Sequence, residues 1–197
     1  MINFIKGGFL AAFIFFTPLN AQNFVLFNEG VLNNKVVEQI NTIGTELYNK
    51  IGVFVAVAVG DMSDFDTIKD KKNELKAPFA LLVLSKSSHK VDIITSKEVG
   101  LFFDKEQVLS PYSGEGTILP ILASNKGKDI YNAAILNGYA DITERIARYF
   151  NIKLENSIGN ANRDTLNVLR IGIYGFLCIA ALYYVQRKVK KRRYENE

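Results

Sequence analysis

The feature that most constrains this chain is the pair of apolar segments at its two ends. Residues 1–21 hold one lysine, Lys6, then an apolar stretch over 9–16, and they close on the small residue Ala21. The stretch is too short to cross a bilayer core of roughly 30 Å, and its layout is typical of a secretory signal. We therefore predict a signal peptide over 1–21, cleaved after Ala21, with an uncleaved anchor as the alternative.

The second apolar segment, residues 166–185, has the length of a membrane-spanning helix. As a helix it would extend roughly 30 Å, close to the thickness of the hydrocarbon core. Six basic residues follow it within 186–197, and such a flank indicates the cytoplasmic side. We predict a transmembrane helix over 166–185 and a basic cytoplasmic tail over 186–197. A buried core helix is the alternative.

Together the two ends predict where the rest of the chain lies. Residues 22–150 form the predicted globular domain, and the polar, Asn-rich stretch 151–165 is the predicted linker. We expect a single-pass protein of the inner (cytoplasmic) membrane, with its domain in the periplasm or at the cell exterior. A Gram-positive cell surface or an organelle lumen would give similar signals. The membrane is therefore the first predicted partner.

Composition narrows the function further. The net charge of +4 belongs to the ends, because residues 22–165 hold 16 basic and 18 acidic residues whereas 166–197 hold 7 and 2. We therefore predict no nucleic-acid partner. The one cysteine is Cys178, so the domain has no disulfide framework and no thiol nucleophile. His89 is the one histidine of the chain, and so few histidine and cysteine ligands exclude most kinds of zinc site.

The hydrophobic pattern predicts an α/β fold. Short runs rich in β-branched residues indicate buried strands, and apolar residues three and four apart indicate helices. The predicted strands are 52–60, 79–85 and 90–95, the last two joined as a hairpin, and the predicted helices are 31–51, 61–76, 104–109, 118–123 and 128–150. The predicted fold class is a single small, mostly buried sheet with helices packed on it, plus one C-terminal transmembrane helix.

Several stretches, taken in order, resemble the TPM domain family, also called TPM phosphatase-like. Residues 28–60 resemble its opening, with a Gly-x-Leu start, a helix and an apolar strand. Residues 79–96 resemble its central hairpin, and 118–147 its closing helical region. Asp104 falls where the family has an aspartate before a short helix. The resemblance implies an exported α/β domain, often held by one C-terminal transmembrane helix, with a phosphatase or divalent-cation site.

The chain also departs from the family pattern. Ser88-His89 stands where the family's hairpin turn usually has Asp-Arg, and Phe27 stands where it often has an aspartate. Residues 96–98 replace a Gly-rich stretch. Lost carboxylates are lost hard oxygen ligands for a divalent cation.

Four aspartates are the candidate metal ligands. Asp61, Asp64 and Asp66 directly follow a predicted buried strand, where α/β proteins bind ligands, and carboxylates suit Ca²⁺ or Mg²⁺. Asp104 is supported by the resemblance. For all four, the alternative is a solvated helix start, where aspartate caps the helix and favours its dipole.

Three functions follow from these observations. The leading hypothesis is a non-catalytic domain that binds or assists a membrane-protein complex. The second is a weak phosphatase that uses a divalent metal on Asp104 and one or more of the other three aspartates. The third is a Ca²⁺- or Mg²⁺-binding module without catalysis. The last two require the aspartates to converge. His89 and the loop 110–116 are interpreted as surface turns, since neither has a catalytic partner or a phosphate-binding motif around it.

Overall fold

A computed structural model describes residues 22–112, 114–124, 129–158 and 161–194, with the side chains of 169 and 171–188 in the last range. The predicted signal peptide at 1–21 lies outside the described residues.

The first helix, α1 (Asn34–Ile51), confirms the helix predicted over 31–51. Asn33 begins it, since its side chain accepts a hydrogen bond from the N–H of Val36 at 3.0 Å. Gly52 ends it with a φ of 72°, a left-handed conformation that glycine adopts without strain. The predicted apolar stripe is buried at Val36, Ile40, Ile43 and Leu47.

Four strands form one sheet in the order β1-β2-β3-β4. They are β1 (Val25–Asn28), β2 (Phe54–Gly60), β3 (Phe79–Ser85) and β4 (Lys90–Thr95). The first three run parallel, and β4 pairs antiparallel with β3, so the predicted hairpin is confirmed. The sequence did not predict β1, because a four-residue strand is too short to show a period.

The remaining helices are α2 (Phe65–Lys69), α3 (Lys105–Val108), α4 (Leu119–Ala123), α5 (Ile130–Tyr149) and α6 (Ala161–Tyr194). The helix predicted over 61–76 is shorter than expected. Asp64 caps α2, and a 3₁₀ segment (Asp70–Glu74) follows it. The short α2 still packs firmly, because Phe65 and Ile68 are buried.

Helices cover both faces of the sheet, as predicted. On one face α1 and α5 pack over β2 and β3, around the fully buried side chains of Ile40, Leu82 and Ile135. On the other face α2 packs over Ala56, Ala58, Leu81 and Val83. Burial on both faces explains why β2 and β3 consist almost wholly of apolar residues.

A buried hydrogen bond and a glycine determine how closely α5 packs against α1 and the sheet. The hydroxyl of Tyr139, fully buried, donates to the carbonyl oxygen of Val55 at 2.9 Å. Gly44 of α1 lies beside this ring, where a methyl group would meet Tyr139 Oη at 2.4 Å and Phe24 Cγ at 2.6 Å. The absence of a side chain at Gly44 therefore lets the two helices and the sheet approach.

The edge strand β4 carries a charged residue at its centre. Asp92 Oδ1 accepts the backbone N–H of Ile93 at 2.7 Å. Lys69 of α2 and Lys105 of α3 lie 3.4 Å and 3.7 Å from its carboxylate oxygens. One carboxylate thus connects the sheet edge to two helices.

The chain after α5 folds back onto the domain before α6 begins. Leu154 is buried, and Glu46 of α1 accepts the backbone N–H groups of Glu155 and Asn156 at 2.6 Å and 2.8 Å. The predicted linker 151–165 is therefore partly packed against the domain, and its last residues belong to α6.

The apolar part of α6 stands apart from this core. Among the described residues, every buried apolar side chain lies between Phe24 and Leu154. None of the helices, within the part of the chain that is described, combines the length and apolarity needed to cross a membrane. The predicted span 166–185 includes 166–168 and 170, whose side chains lie outside the described set. The C-terminal transmembrane helix therefore has no support from the fold and stays a prediction.

Candidate functional site at the carboxyl edge of the sheet

The three parallel strands end at one edge of the sheet. Asn28 pairs with Val59, and Gly60 pairs with Ser85. The turns that follow β1, β2 and β3 therefore meet at one place. In α/β proteins this carboxyl edge is where ligands bind, so it is the first place to look for a site.

Glu29, which follows β1, binds the turn after β2. Its Oε2 accepts the backbone N–H groups of Asp61, Met62 and Ser63 at 2.8, 2.9 and 3.0 Å, and its Oε1 accepts the hydroxyl of Ser63. The Ser63 hydroxyl, followed by the Ser63 and Met62 N–H groups, lowers the pKa of Glu29 to about 2. Successive N–H groups that converge in this way form an anion site, and here the chain's own carboxylate occupies it.

The turn after β3 is rich in hydroxyl groups. Ser85 is buried, and its Oγ accepts the hydroxyl of Ser88 at 2.6 Å and lies 3.3 Å from Ser87 Oγ. Ser85 also donates to the carbonyl oxygen of Ser63 at 3.4 Å. These hydroxyls satisfy one another and hold the two turns together.

His89, in the same turn, has no catalytic surroundings. It is exposed, with a φ of 51°. Within the described ranges, no side chain hydrogen-bonds its imidazole, although a general base needs an orienting partner and a nearby nucleophile. The geometry agrees with the interpretation of His89 as a surface turn residue.

A cavity of about 390 Å³ opens beside this turn, between the β3–β4 hairpin and the helices α4 and α5. Its walls are mainly apolar, and its polar groups are at the hairpin end, at Ser85, His89 and Lys90. The apolar walls come from Leu84, Val91, Pro111, Leu119, Leu122, Ala123 and Tyr131. A larger depression of about 770 Å³ lies along α1, but it is more open and lined mostly by polar residues. The less open cavity, beside the hairpin, is the better candidate for a binding site.

One lysine, Lys86, lies near the mouth of this cavity. Lys86 Nζ lies 5.7 Å from the centre of the Tyr131 ring, within the range of a cation–π contact. The same ammonium lies 3.2 Å from Asp61 Oδ1 in a half-exposed ion pair. The Lys90 ammonium lies 5.8 Å from the Phe65 ring centre, on the α2 face of the sheet, so it points away from the cavity.

The four aspartates predicted as metal ligands have other roles in the fold. Asp61 pairs with Lys86. Asp64 caps α2 by accepting the N–H of Asp66 at 3.2 Å, and Asp66 lies in the first turn of that helix. Asp104 caps α3 by accepting the N–H of Glu106 at 3.0 Å. For Asp64, Asp66 and Asp104 these are the helix-start roles given above as the alternative.

The aspartates do not form a ligand group. Across the described residues, no three His, Cys, Asp or Glu side chains lie close enough together to hold a metal ion. The Ca²⁺ or Mg²⁺ site stays a prediction that this geometry does not support.

Sequence reasoning missed Glu29 and the cavity. Nothing near Glu29 in the sequence indicates that its partner lies after the next strand. The one local signal was the run of serines at 85, 87 and 88 in a turn that follows a buried strand.

Comparison with known proteins shows the fold and no more. No family model matches the chain, and no curated protein matches its sequence. The fold itself has been seen before. The solution NMR structure of the N-terminal domain of a protein from P. gingivalis superposes with a TM-score of 0.53 and 14% sequence identity. The match covers 70% of this chain and 90% of that domain.

Proposed function

We propose that this chain is a membrane-attached, exported TPM-like domain that binds a membrane-protein partner without catalysing a reaction. The fold supports the TPM-like assignment in outline, since the sheet, the hairpin and the short helix after Asp104 occur in the family's order. Residues 166–185 supply the attachment in this proposal. Their described apolar side chains, such as Leu177 and Ile179, are exposed.

The apolar cavity at the carboxyl edge carries the binding proposal. A volume of about 390 Å³ is in the range of small binding pockets, and it suits one or two large apolar side chains of a partner. Buried anchors of this kind supply most of the affinity at protein interfaces. Lys86, whose ammonium lies over Tyr131 of the cavity wall, favours a partner segment with an acidic residue next to its apolar anchor.

The surroundings of the cavity favour binding over catalysis. Its polar residues include Ser85, whose hydroxyl already accepts a bond from Ser88, the exposed His89, for which no orienting side chain lies among the described residues, and Lys90. A phosphatase of the predicted kind needs its metal ligands together. Here Asp64 and Asp104 cap helices, Asp66 lies in the first turn of α2, and Asp61 pairs with a lysine.

Site-specific photocrosslinking in the native membrane tests this proposal. A photoreactive amino acid at His89 should give one discrete adduct with a membrane protein, which mass spectrometry identifies. The same group at Lys72, which is exposed in the 3₁₀ segment after α2, is the matched control and should give none. Leu122→Glu places a charge in the cavity wall and should abolish the adduct at His89.

Two results would overturn the proposal. One is an adduct at His89 that persists at equal yield in Leu122→Glu, since the cavity would then not hold the partner. The other is metal-dependent hydrolysis of a phosphate monoester that is lost in Asp104→Asn, which would favour the phosphatase instead.

A further inference from the structure

An exposed aromatic cluster lies at the end of the domain opposite the cavity. The Phe102 ring lies 4.8 Å from that of Tyr149 and 4.9 Å from that of Phe150, and the last two are 5.2 Å apart, all between ring centres. Tyr149 is 55% exposed and Phe150 39%, and the neighbouring Leu101 is 77% exposed. We call Leu101, Phe102, Tyr149 and Phe150 the aromatic patch. Large apolar side chains that are exposed together indicate an interaction surface.

Two arginines of α5 adjoin the aromatic patch. Arg145 and Arg148 line a shallow depression together with Phe102 and Tyr149. Arg145 is already engaged, because its Nε donates to Asp141 at 3.0 Å and its Nη1 to Gln107 at 2.8 Å. Arg148, three residues further along the helix, is exposed. The surface therefore combines aromatic rings with a cation, as at the headgroup level of membrane proteins.

The position of the patch along the chain points to one occupant. Tyr149 ends α5, and α5 is about 30 Å long, with Tyr131 of the cavity at its other end. After Phe150 the chain stays close, since the hydroxyl of Ser157 donates to Glu144 of α5. Only residues 159–165 then separate the domain from the apolar segment 166–185, and seven residues extend at most about 25 Å. A membrane that holds 166–185 must lie near this end of the domain.

We propose that the aromatic patch rests on the lipid headgroup interface, with Arg148 toward anionic headgroups. The inference depends on the membrane attachment proposed above and adds the orientation of the domain to it. Phe150, Tyr149 and Leu101 bury apolar surface at the interface, and the Arg148 guanidinium can form bidentate hydrogen bonds with lipid phosphate groups. The cavity at the far end of α5 then faces away from the membrane, open to a partner.

The absence of tryptophan from the chain gives a direct test. Phe150→Trp in the full chain, reconstituted in phosphatidylcholine–phosphatidylglycerol vesicles, makes one fluorescent reporter in the patch. Tyr112→Trp, an exposed tyrosine next to Pro111 of the cavity wall, is the matched control. We expect a blue-shifted spectrum and strong quenching by brominated lipids for Phe150→Trp, and neither for Tyr112→Trp. Adding Arg148→Gln to Phe150→Trp should shift the equilibrium between lipid-bound and lipid-free patch about fivefold toward the free state. The quenching of the tryptophan by brominated lipids measures this shift.

Vesicle flotation of the same samples separates the two proposals. If the chain floats with the vesicles but Phe150→Trp is no better quenched than Tyr112→Trp, the attachment holds and the orientation is wrong. If the chain does not float, the attachment fails and the orientation fails with it. Tyr149→Trp serves as a second reporter, and circular dichroism melts check that each variant is folded.

Discussion

The carboxylate of Glu29 accepts both the hydroxyl and the backbone N–H of Ser63, which ties the end of β1 to the turn after β2. β1 is short and lies at the edge of the sheet. A bond from its end to the neighbouring turn therefore fixes its register against β2. The Glu29 carboxylate also occupies the site formed by the backbone N–H groups of Asp61, Met62 and Ser63, where an external anion could otherwise bind.

This contact predicts a pH-dependent part of the stability. The pKa of Glu29 is lowered from 4.5 to about 2 in the folded chain, so the carboxylate stabilises the fold above pH 4.5. That contribution is lost as the pH falls toward about 2, because the unfolded chain then binds the proton more readily. Glu29→Gln should lower the melting temperature at neutral pH and should approach the wild type near pH 2.

Thermal melts of both proteins across this pH range measure the difference. Glu106→Gln changes an exposed glutamate of α3 and is the control for a change of charge alone. A gap between wild type and Glu29→Gln that stays constant from neutral pH to pH 2 would contradict the assignment.

A second prediction concerns the buried charge of Asp141. Its carboxylate is fully buried, accepts the hydroxyl of Thr117 at 2.6 Å, and pairs with Arg145 at 3.0 Å. Asp141→Ala leaves the arginine largely buried without this partner, which costs about 3–5 kcal/mol. Glu74→Ala breaks an exposed pair with Lys71 and should cost less than about 1 kcal/mol. Urea unfolding compares the two, and similar losses would show that the burial of Asp141 is unimportant.

The third prediction concerns the close approach at Gly44. An added methyl group would overlap Tyr139 Oη and Phe24 Cγ, and the tyrosine cannot move without breaking its bond to Val55. Gly44→Ala should destabilise the domain by about 1–3 kcal/mol. Gly172→Ala is the control, since nothing lies within 4 Å of the added methyl and alanine is the better helix former. Denaturant melts that leave Gly44→Ala as stable as the control would refute the packing argument.

The fourth prediction concerns the segment that follows α5. Burial raises the pKa of Glu46, but its bonds from Lys50 and from the N–H groups of Glu155 and Asn156 outweigh this and lower it to about 2. Glu46→Ala should release Glu155 and Asn156 from α1, at a cost of about 1–3 kcal/mol. Hydrogen exchange should then speed up in that segment, and Glu38→Ala, an exposed glutamate of the same helix, should leave it unchanged. Protection that survives in Glu46→Ala would mean that Leu154 and the bond from Ser157 to Glu144 hold the segment without Glu46.

Much of the fold was predictable because its signals are local. The apolar stripe of α1 and the apolar runs of β2 and β3 can each be recognised from a few neighbouring residues. Strand β3 was predicted at its observed bounds. The turn at Lys86–His89 separates two strands closely enough that only a hairpin could join them. Strand β1 was missed because four residues are too few to show a period. The helix over 61–76 was overextended, because residues 61–63 form a turn held by Glu29, which is distant in sequence.

The candidate site was harder to predict for the same reason. Its cavity needs the hairpin, α4 and α5 together, and no spacing in the sequence connects Leu84 to Leu122 or Tyr131. The predicted aspartates were conspicuous because they follow a buried strand, but a carboxylate at a helix start is explained by the cap it makes. The local sequence pattern thus predicts helices and strands well, but it predicts the contacts between them poorly.

The hydrogen bond from the Ile93 N–H to the Asp92 carboxylate has a consequence at high protein concentration. An uncovered edge strand is a template on which a neighbouring molecule can extend the sheet, the first step of aggregation. On β4 the carboxylate occupies the N–H that an incoming strand would need, and Lys69 and Lys105 hold it in place. At high protein concentration, β4 is therefore a poorer template for a second molecule's strand than a fully unpaired edge would be.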